Sequence, residues 1–110
     1  MHLHLDYGKG RLAVELPDDS TVLNMVPTSG LDSPPEQVRA GLETPLGVAP
    51  LAKLAAGKRD ACVVISDITR PVPNEIILPE VLAVLENSGI ARDAITILIG
   101  TGLHRPNEGT

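Results

Sequence analysis

Polar and apolar residues alternate along the first segment. His2, His4 and Asp6 fall on one side and Leu3, Leu5 and Tyr7 on the other, the period of a half-buried strand. Gly8, Lys9 and Gly10 interrupt the alternation, which resumes over residues 11–16 with Leu12, Val14 and Leu16 on one face. Residues 2–16 therefore predict a β-hairpin around a glycine-rich turn. Residues 21–26 predict a third short strand, and residues 27–35, rich in Ser, Gly, Asp and Pro, predict a loop. Ser33 followed by Pro34, Pro35 and Glu36 marks a helix start: a hydroxyl to cap orphan amides, prolines suited to the first turn, and a glutamate placed to close a capping box. That helix, with Val38 and Leu42 on one face, is expected to stop near Pro45. A second, over residues 50–56, ends at Gly57.

The second half is more regular. Residues 61–66 (ACVVIS) and 94–99 (AITILI) are continuous apolar runs of strand length, the pattern of strands buried on both faces in a parallel sheet. Between them Leu78, Val81, Leu82 and Leu85 repeat at helical spacing, with Glu80, Glu86 and Asn87 on the other side and Gly89 as a stop. Pro79 either opens this helix or kinks it. A strand, a helix and a strand so connected predict a parallel crossover, so the segments after Ser66 and Ile99 emerge at the same carboxyl edge of the sheet, where open α/β sheets bind ligands. The fold class is α/β: an N-terminal hairpin, then helices and a parallel βαβ unit, as part of a larger parallel or mixed sheet.

Composition narrows the partners. With 110 residues, of which 43% are hydrophobic, the chain can bury roughly 65% of its unfolded surface without staples. Tyr7 is the only aromatic residue, which removes the stacking platform of a single-stranded nucleic acid binder. Nine Lys plus Arg against fourteen Asp plus Glu leave no basic surplus for phosphates along a duplex. A nucleic acid partner is not expected. No run approaches the roughly 20 apolar residues of a membrane span, and no basic segment followed by an apolar run opens the chain. Cys62 is the only cysteine, so a cytoplasmic location is expected. Within its strand pattern it reads as a buried small hydrophobe and not as a nucleophile.

Two loops hold most of the chemistry. After the first strand come Asp67, Ile68, Thr69 and Arg70; after the second, Gly100, Thr101, Gly102, Leu103 and His104. Asp67 can accept from hydroxyls, Arg70 suits a carboxylate or phosphate, and His104 can move protons near neutral pH. Gly100 and Gly102 allow a sharp turn and a close approach to a ligand. Taken singly, each of these residues reads better as a cap, a solvated cation or a loop histidine; their convergence at the ends of neighbouring strands favours a site. Arg105 stands where the third glycine of a dinucleotide fingerprint belongs, and no phosphate-binding G-x-x-x-x-G-K motif occurs. His2 and His4 could share a metal, but with no third ligand nearby they read as surface.

The run SDITRPVPNEIILPEVLAVLENSGI followed by ITILIGTGLHRP resembles the N-terminal domain of the nickel-dependent lactate racemase family. The YGKG turn and the LPD of residues 16–18 are similar to it as well. Members are much longer proteins of two α/β domains that enclose a nickel-pincer pyridinium mononucleotide and racemise or epimerise 2-hydroxy acids. The resemblance implies that Asp67, Ile68, Thr69 and Arg70 belong to the cofactor- and substrate-binding loop. It makes Arg70 the partner of the substrate carboxylate and His104 one of two histidines that give and take the hydroxyl proton, while the α-hydrogen leaves as hydride. The cofactor-tethering lysine, the nickel ligand and the second catalytic histidine lie downstream in the family. No metal ligand is therefore assigned to this chain.

It follows from the resemblance that residues 1–110 form a single, incomplete, cofactor-binding N-terminal domain of a larger two-domain protein, an isomerase. Residues 106–110 stand where the family begins its next helix. Alone, the chain is expected to be inactive and not to retain the cofactor. Its partner is a small 2-hydroxy acid, whose identity neither loop specifies. An edge strand left uncovered by truncation would be open to self-association, and a dimer formed that way would be an artefact. The competing reading is a non-catalytic module that holds a small anion or nucleotide through Arg70 and the Gly100 to Gly102 loop.

Overall fold

The computed structural model describes residues 1–106, which form two compact units, residues 1–30 and residues 31–106. In the first unit, strands β1 (His2–Tyr7) and β2 (Gly10–Glu15) pair antiparallel, with Leu3 opposite Val14 and Leu5 opposite Leu12. The hairpin and its register follow the alternation, because a slip of one residue would turn that apolar set to the other face. Gly8 has φ 57° while Lys9 does not have positive φ, the pattern of a two-residue type II′ turn, which only glycine enters freely. His2 and His4 are exposed, opposite Glu15 and Ala13.

The strand expected at residues 21–26 does not form. Leu23, Met25 and Val26 are exposed, and no neighbouring strand takes their backbone groups; extended propensity without a ladder partner does not make a strand.

The second unit contains α1 (Pro34–Glu43), α2 (Leu51–Ala55), β3 (Ala61–Ser66), α3 (Asn74–Asn87) and β4 (Ile95–Gly100). A single 3₁₀ turn, Arg92–Ala94, leads into β4. Helix α1 begins where the Ser-Pro-Pro-Glu signal places it, but the Ser33 hydroxyl makes no cap bond. Prolines at the first two helical positions already lack N–H groups, and the Ser33 carbonyl takes the Glu36 amide at 3.0 Å, so little remains for the hydroxyl to cap. Helix α2 stops before Gly57, whose φ of 73° is the left-handed terminus expected there. Pro79 does not open α3 but lies inside it. The ring removes the donor to the Glu75 carbonyl, and because both residues are exposed, water can replace that bond. Arg39 of α1 clasps Glu80 of α3 with two hydrogen bonds, 2.9 and 3.2 Å.

Strands β3 and β4 pair in parallel, from Ala61 opposite Ile95 to Ser66 opposite Gly100. The α/β class and the β3–α3–β4 crossover are thus as the periodicity predicts. Ala55, Leu85 and Ile90 form the core, with Leu51, Ala61, Val63, Val81, Ala94 and Ile95 packed against them. The helices cover only one face of the strand pair. Val64 is 65% and Leu98 53% exposed, and Cys62 is exposed as well, which corrects the expectation of strands buried on both faces and of a buried cysteine. An unbroken apolar run states that both faces are apolar; whether a second layer covers them depends on what other elements the unit contains. No helix among the described residues is long and apolar enough to cross a membrane. The helix start expected at residues 106–110 lies almost wholly outside the described residues.

Candidate active site

Because β3 and β4 run in parallel with Ser66 opposite Gly100, the segments that leave them start side by side. Each folds at once into a tight turn. The Arg70 amide donates to the Asp67 carbonyl at 3.1 Å, and the His104 amide to the Thr101 carbonyl at 3.0 Å. Gly102 adopts φ 57° inside the second turn, where a side chain would be strained. Gly100 completes β4 without positive φ, so of the two glycines only Gly102 is demanded by backbone conformation.

The two turns meet through Asp67, the one buried polar or charged residue among those described, at 4% exposure. Its Oδ1 accepts from the Thr69 amide at 3.0 Å and the Thr69 hydroxyl at 2.6 Å. Its Oδ2 lies 2.5 Å from Nδ1 of His104. A buried carboxylate with this many donors is satisfied, whereas an unpaired one would be costly. Asp67 does not cap α3, which starts at Asn74 behind Pro73 with no side-chain cap. His104 is about half exposed, at 48%. Together with Ser66, Asp67, Arg70, Thr101 and Leu103 it lines a cavity of about 330 Å³ over the carboxyl edge of the strand pair.

The structure therefore brings three of the sequence-predicted residues, Asp67, Arg70 and His104, to one cavity, while the Thr69 hydroxyl stands behind Asp67 and Ile68 is exposed outside its lining. Sequence reasoning did not find the Asp67–His104 pair. The Asp67–Thr69 half has a local signal, since aspartate often bonds the amide two residues on. The histidine lies 37 residues away, and no spacing rule connects them. Ser66 and Thr101 join the lining because they flank the two turns. Among the described residues no three His, Cys, Asp or Glu side chains come together as a metal site.

The Thr69 hydroxyl and then His104 hold the Asp67 carboxyl below the usual carboxylate range, with the Thr69 amide adding to them and burial opposing. A carboxylate whose folded pKa lies below its unfolded value of about 3.9 stabilises the fold fully above that range. The contribution disappears as pH falls through the folded pKa. Asp67→Asn is expected to lower the urea midpoint at neutral pH, with the gap from wild type closing below about pH 4 as the wild-type carboxylate is protonated. Denaturation curves across that range check both the size and the sign of this dependence.

The geometry can be set beside known proteins. The family model of the lactate racemase N-terminal domain matches residues 7–109. The chain belongs to that family. It is 36% identical to the lactate racemase of Thermoanaerobacterium thermosaccharolyticum over 108 residues, 94% of this chain and 25% of that protein. It is also 36% identical to the lactate racemase of Lactiplantibacillus plantarum over 110 residues, 96% of this chain and 26% of that one. The solved structure of the lactate racemase apoprotein from T. thermosaccharolyticum matches with a TM-score of 0.72 and 35% identity, over 96% of this chain and 24% of that one. The chain spans about a quarter of the length of those relatives.

Proposed function

We propose that the chain is the N-terminal part of a racemase or epimerase of 2-hydroxy acids, lactate among them. In this reading it contributes a substrate-binding arginine and one of two proton-transferring histidines. The observation that carries the reading is the joint position of Arg70 and of His104, backed by buried Asp67, on one cavity. An arginine there orients a carboxylate through two parallel hydrogen bonds. The neighbouring imidazole then takes the proton of the 2-hydroxyl group as general base and returns it as general acid. The Asp67 carboxylate stabilises the imidazolium formed in between. A second histidine, serving the opposite enantiomer, comes from outside this chain.

The residues present also fit a pyridinium mononucleotide. Arg70 offers a guanidinium to anionic oxygens, and Ile68 and Leu103 are fully or almost fully exposed apolar side chains on which a flat ring can rest. Ile68 and Arg70 of the 67–70 loop would hold the group, with its metal ligand supplied from elsewhere. When bound, a nickel-pincer nucleotide supplies a reversible acceptor for the α-hydrogen, which is too weakly acidic for a histidine to remove as a proton.

The test is interconversion of D- and L-lactate, followed by chiral chromatography, with a racemase of the relatives' full length that carries this domain and its cofactor. Turnover is expected from that protein and not from the 110-residue chain alone. Arg70→Ala is expected to raise KM by about 10- to 100-fold, the loss of a charge-assisted hydrogen-bonded pair. A full-length protein that interconverts no 2-hydroxy acid would sink the reading, and an unchanged KM would remove Arg70 from the carboxylate. Anion binding without turnover by the full-length protein would favour the binding-module alternative.

A further inference from the structure

We infer that Asp67 and Thr69 are positioning residues that lock His104 in the tautomer with the proton on Nδ1, leaving Nε2 as the free base. The inference builds on the role proposed for His104 above and assigns Asp67 to the histidine instead of to a ligand. Two oxygens converge on Nδ1: Asp67 Oδ2 at 2.5 Å and Thr69 Oγ1 at 3.3 Å. Neither has a proton to give it. An ionised carboxylate only accepts, and the single hydroxyl proton of Thr69 is directed to Asp67 Oδ1 at 2.6 Å, a much shorter contact than that to the ring.

A bare Nδ1 would therefore set its lone pair against two others. Protonated, the same atom makes a short bond to the carboxylate. The tautomer of a neutral imidazole is set by the partner of one nitrogen, and here that partner leaves the other nitrogen unprotonated. Asp67 has nothing further to offer a ligand: Oδ1 holds two donors, Oδ2 a third, and the side chain is 3% exposed. Thr69 acts one step further back. Its hydroxyl and amide together fix the carboxylate plane, and the carboxylate in turn aims the ring.

The experiment is a long-range ¹⁵N–¹H correlation spectrum of the imidazoles in the 110-residue chain, at a pH where they are neutral. The His104 signals are assigned by their loss in His104→Gln. His104 is expected to show a protonated Nδ1 and a bare Nε2, and solvent-exposed His2 and His4 the opposite, as free imidazole side chains do. Asp67→Asn presents an amide that can donate to Nδ1 and is expected to invert the His104 pattern. Thr69→Val is expected to raise the Nε2-protonated share at least twofold, and Thr69→Ser to restore the wild-type pattern. Backbone amide spectra establish that each variant is folded; if Thr69→Val is not, the wild-type and Asp67→Asn spectra decide.

A wild-type His104 with the tautomer of His2 and His4 overturns the inference, as does a folded Asp67→Asn whose pattern is unmoved. An unmoved, folded Thr69→Val overturns the part assigned to Thr69. These readouts do not depend on turnover. A full-length protein without racemase activity would leave the tautomer result standing, and a wrong tautomer would leave the activity standing.

Discussion

His104→Gln in a full-length protein carrying this domain is expected to lower kcat for 2-hydroxy acid racemisation by about 10²- to 10⁴-fold, the range supplied by one general acid–base group. Glutamine retains a polar side chain of comparable reach but cannot take a proton at neutral pH. The loss should fall on kcat far more than on KM, because Arg70, and not His104, is assigned the ground-state carboxylate. Because each racemisation turnover uses both histidines, the loss is expected from either enantiomer. Steady-state rates measured separately from D- and L-lactate check it, and equal activity of the variant and wild type would exclude His104 from proton transfer. The cause lies in two short turns: Asp67 holds Nδ1 at 2.5 Å, and the half-exposed ring lines the cavity that Arg70 also lines.

Leu85→Ala is expected to destabilise the second unit by about 2–5 kcal/mol, the cost of truncating a buried leucine that cannot be fully refilled. Leu85 is 5% exposed and is one of only three hydrophobic residues buried among those described, the others being Ala55 and Ile90. Leu85 is, with Ile90, the largest side chain of that core, and Val63, Val81 and Ile95, which pack against the core, come from three different elements. A domain of this size loses roughly 4–8 °C of melting temperature per kcal/mol, so the variant should melt at least about 8 °C lower. Leu46→Ala provides the contrast. Leu46 is 98% exposed, and its truncation should stay within about 0.5 kcal/mol. Thermal melts followed by circular dichroism separate the two, and an unaffected Leu85→Ala would mean that the unit is held together elsewhere.

Much of this architecture could be read from local patterns. Alternation of Leu3 and Leu5 with His2 and His4 set the hairpin, and Leu78, Val81, Leu82 and Leu85 set α3. The apolar runs at β3 and β4, too far apart in sequence for a tight turn, implied the parallel crossover. From the crossover alone it followed that residues 67–70 and 100–104 leave the sheet at one edge. Where the reading failed, the missing information was always a neighbour. Residues 21–26 have strand propensity but no strand to pair with. Val64, Leu98 and Cys62 have the pattern of a two-sided interior and only one covering layer. Ser33 has the side chain of a cap in front of prolines that need none.

The same division runs through the site. Residue types along the chain are enough to put an acceptor, a cation and a titratable ring near one sheet edge, because strand direction is a property of topology. That Asp67 is buried, turned toward His104 and closed off by Thr69 follows from the β3–β4 register, in which Ser66 stands opposite Gly100. Periodicity decides which face of an element is apolar through backbone geometry alone. A hydrogen bond between residues 37 apart exists only once two strands are aligned to the residue, and that alignment belongs to the packed fold.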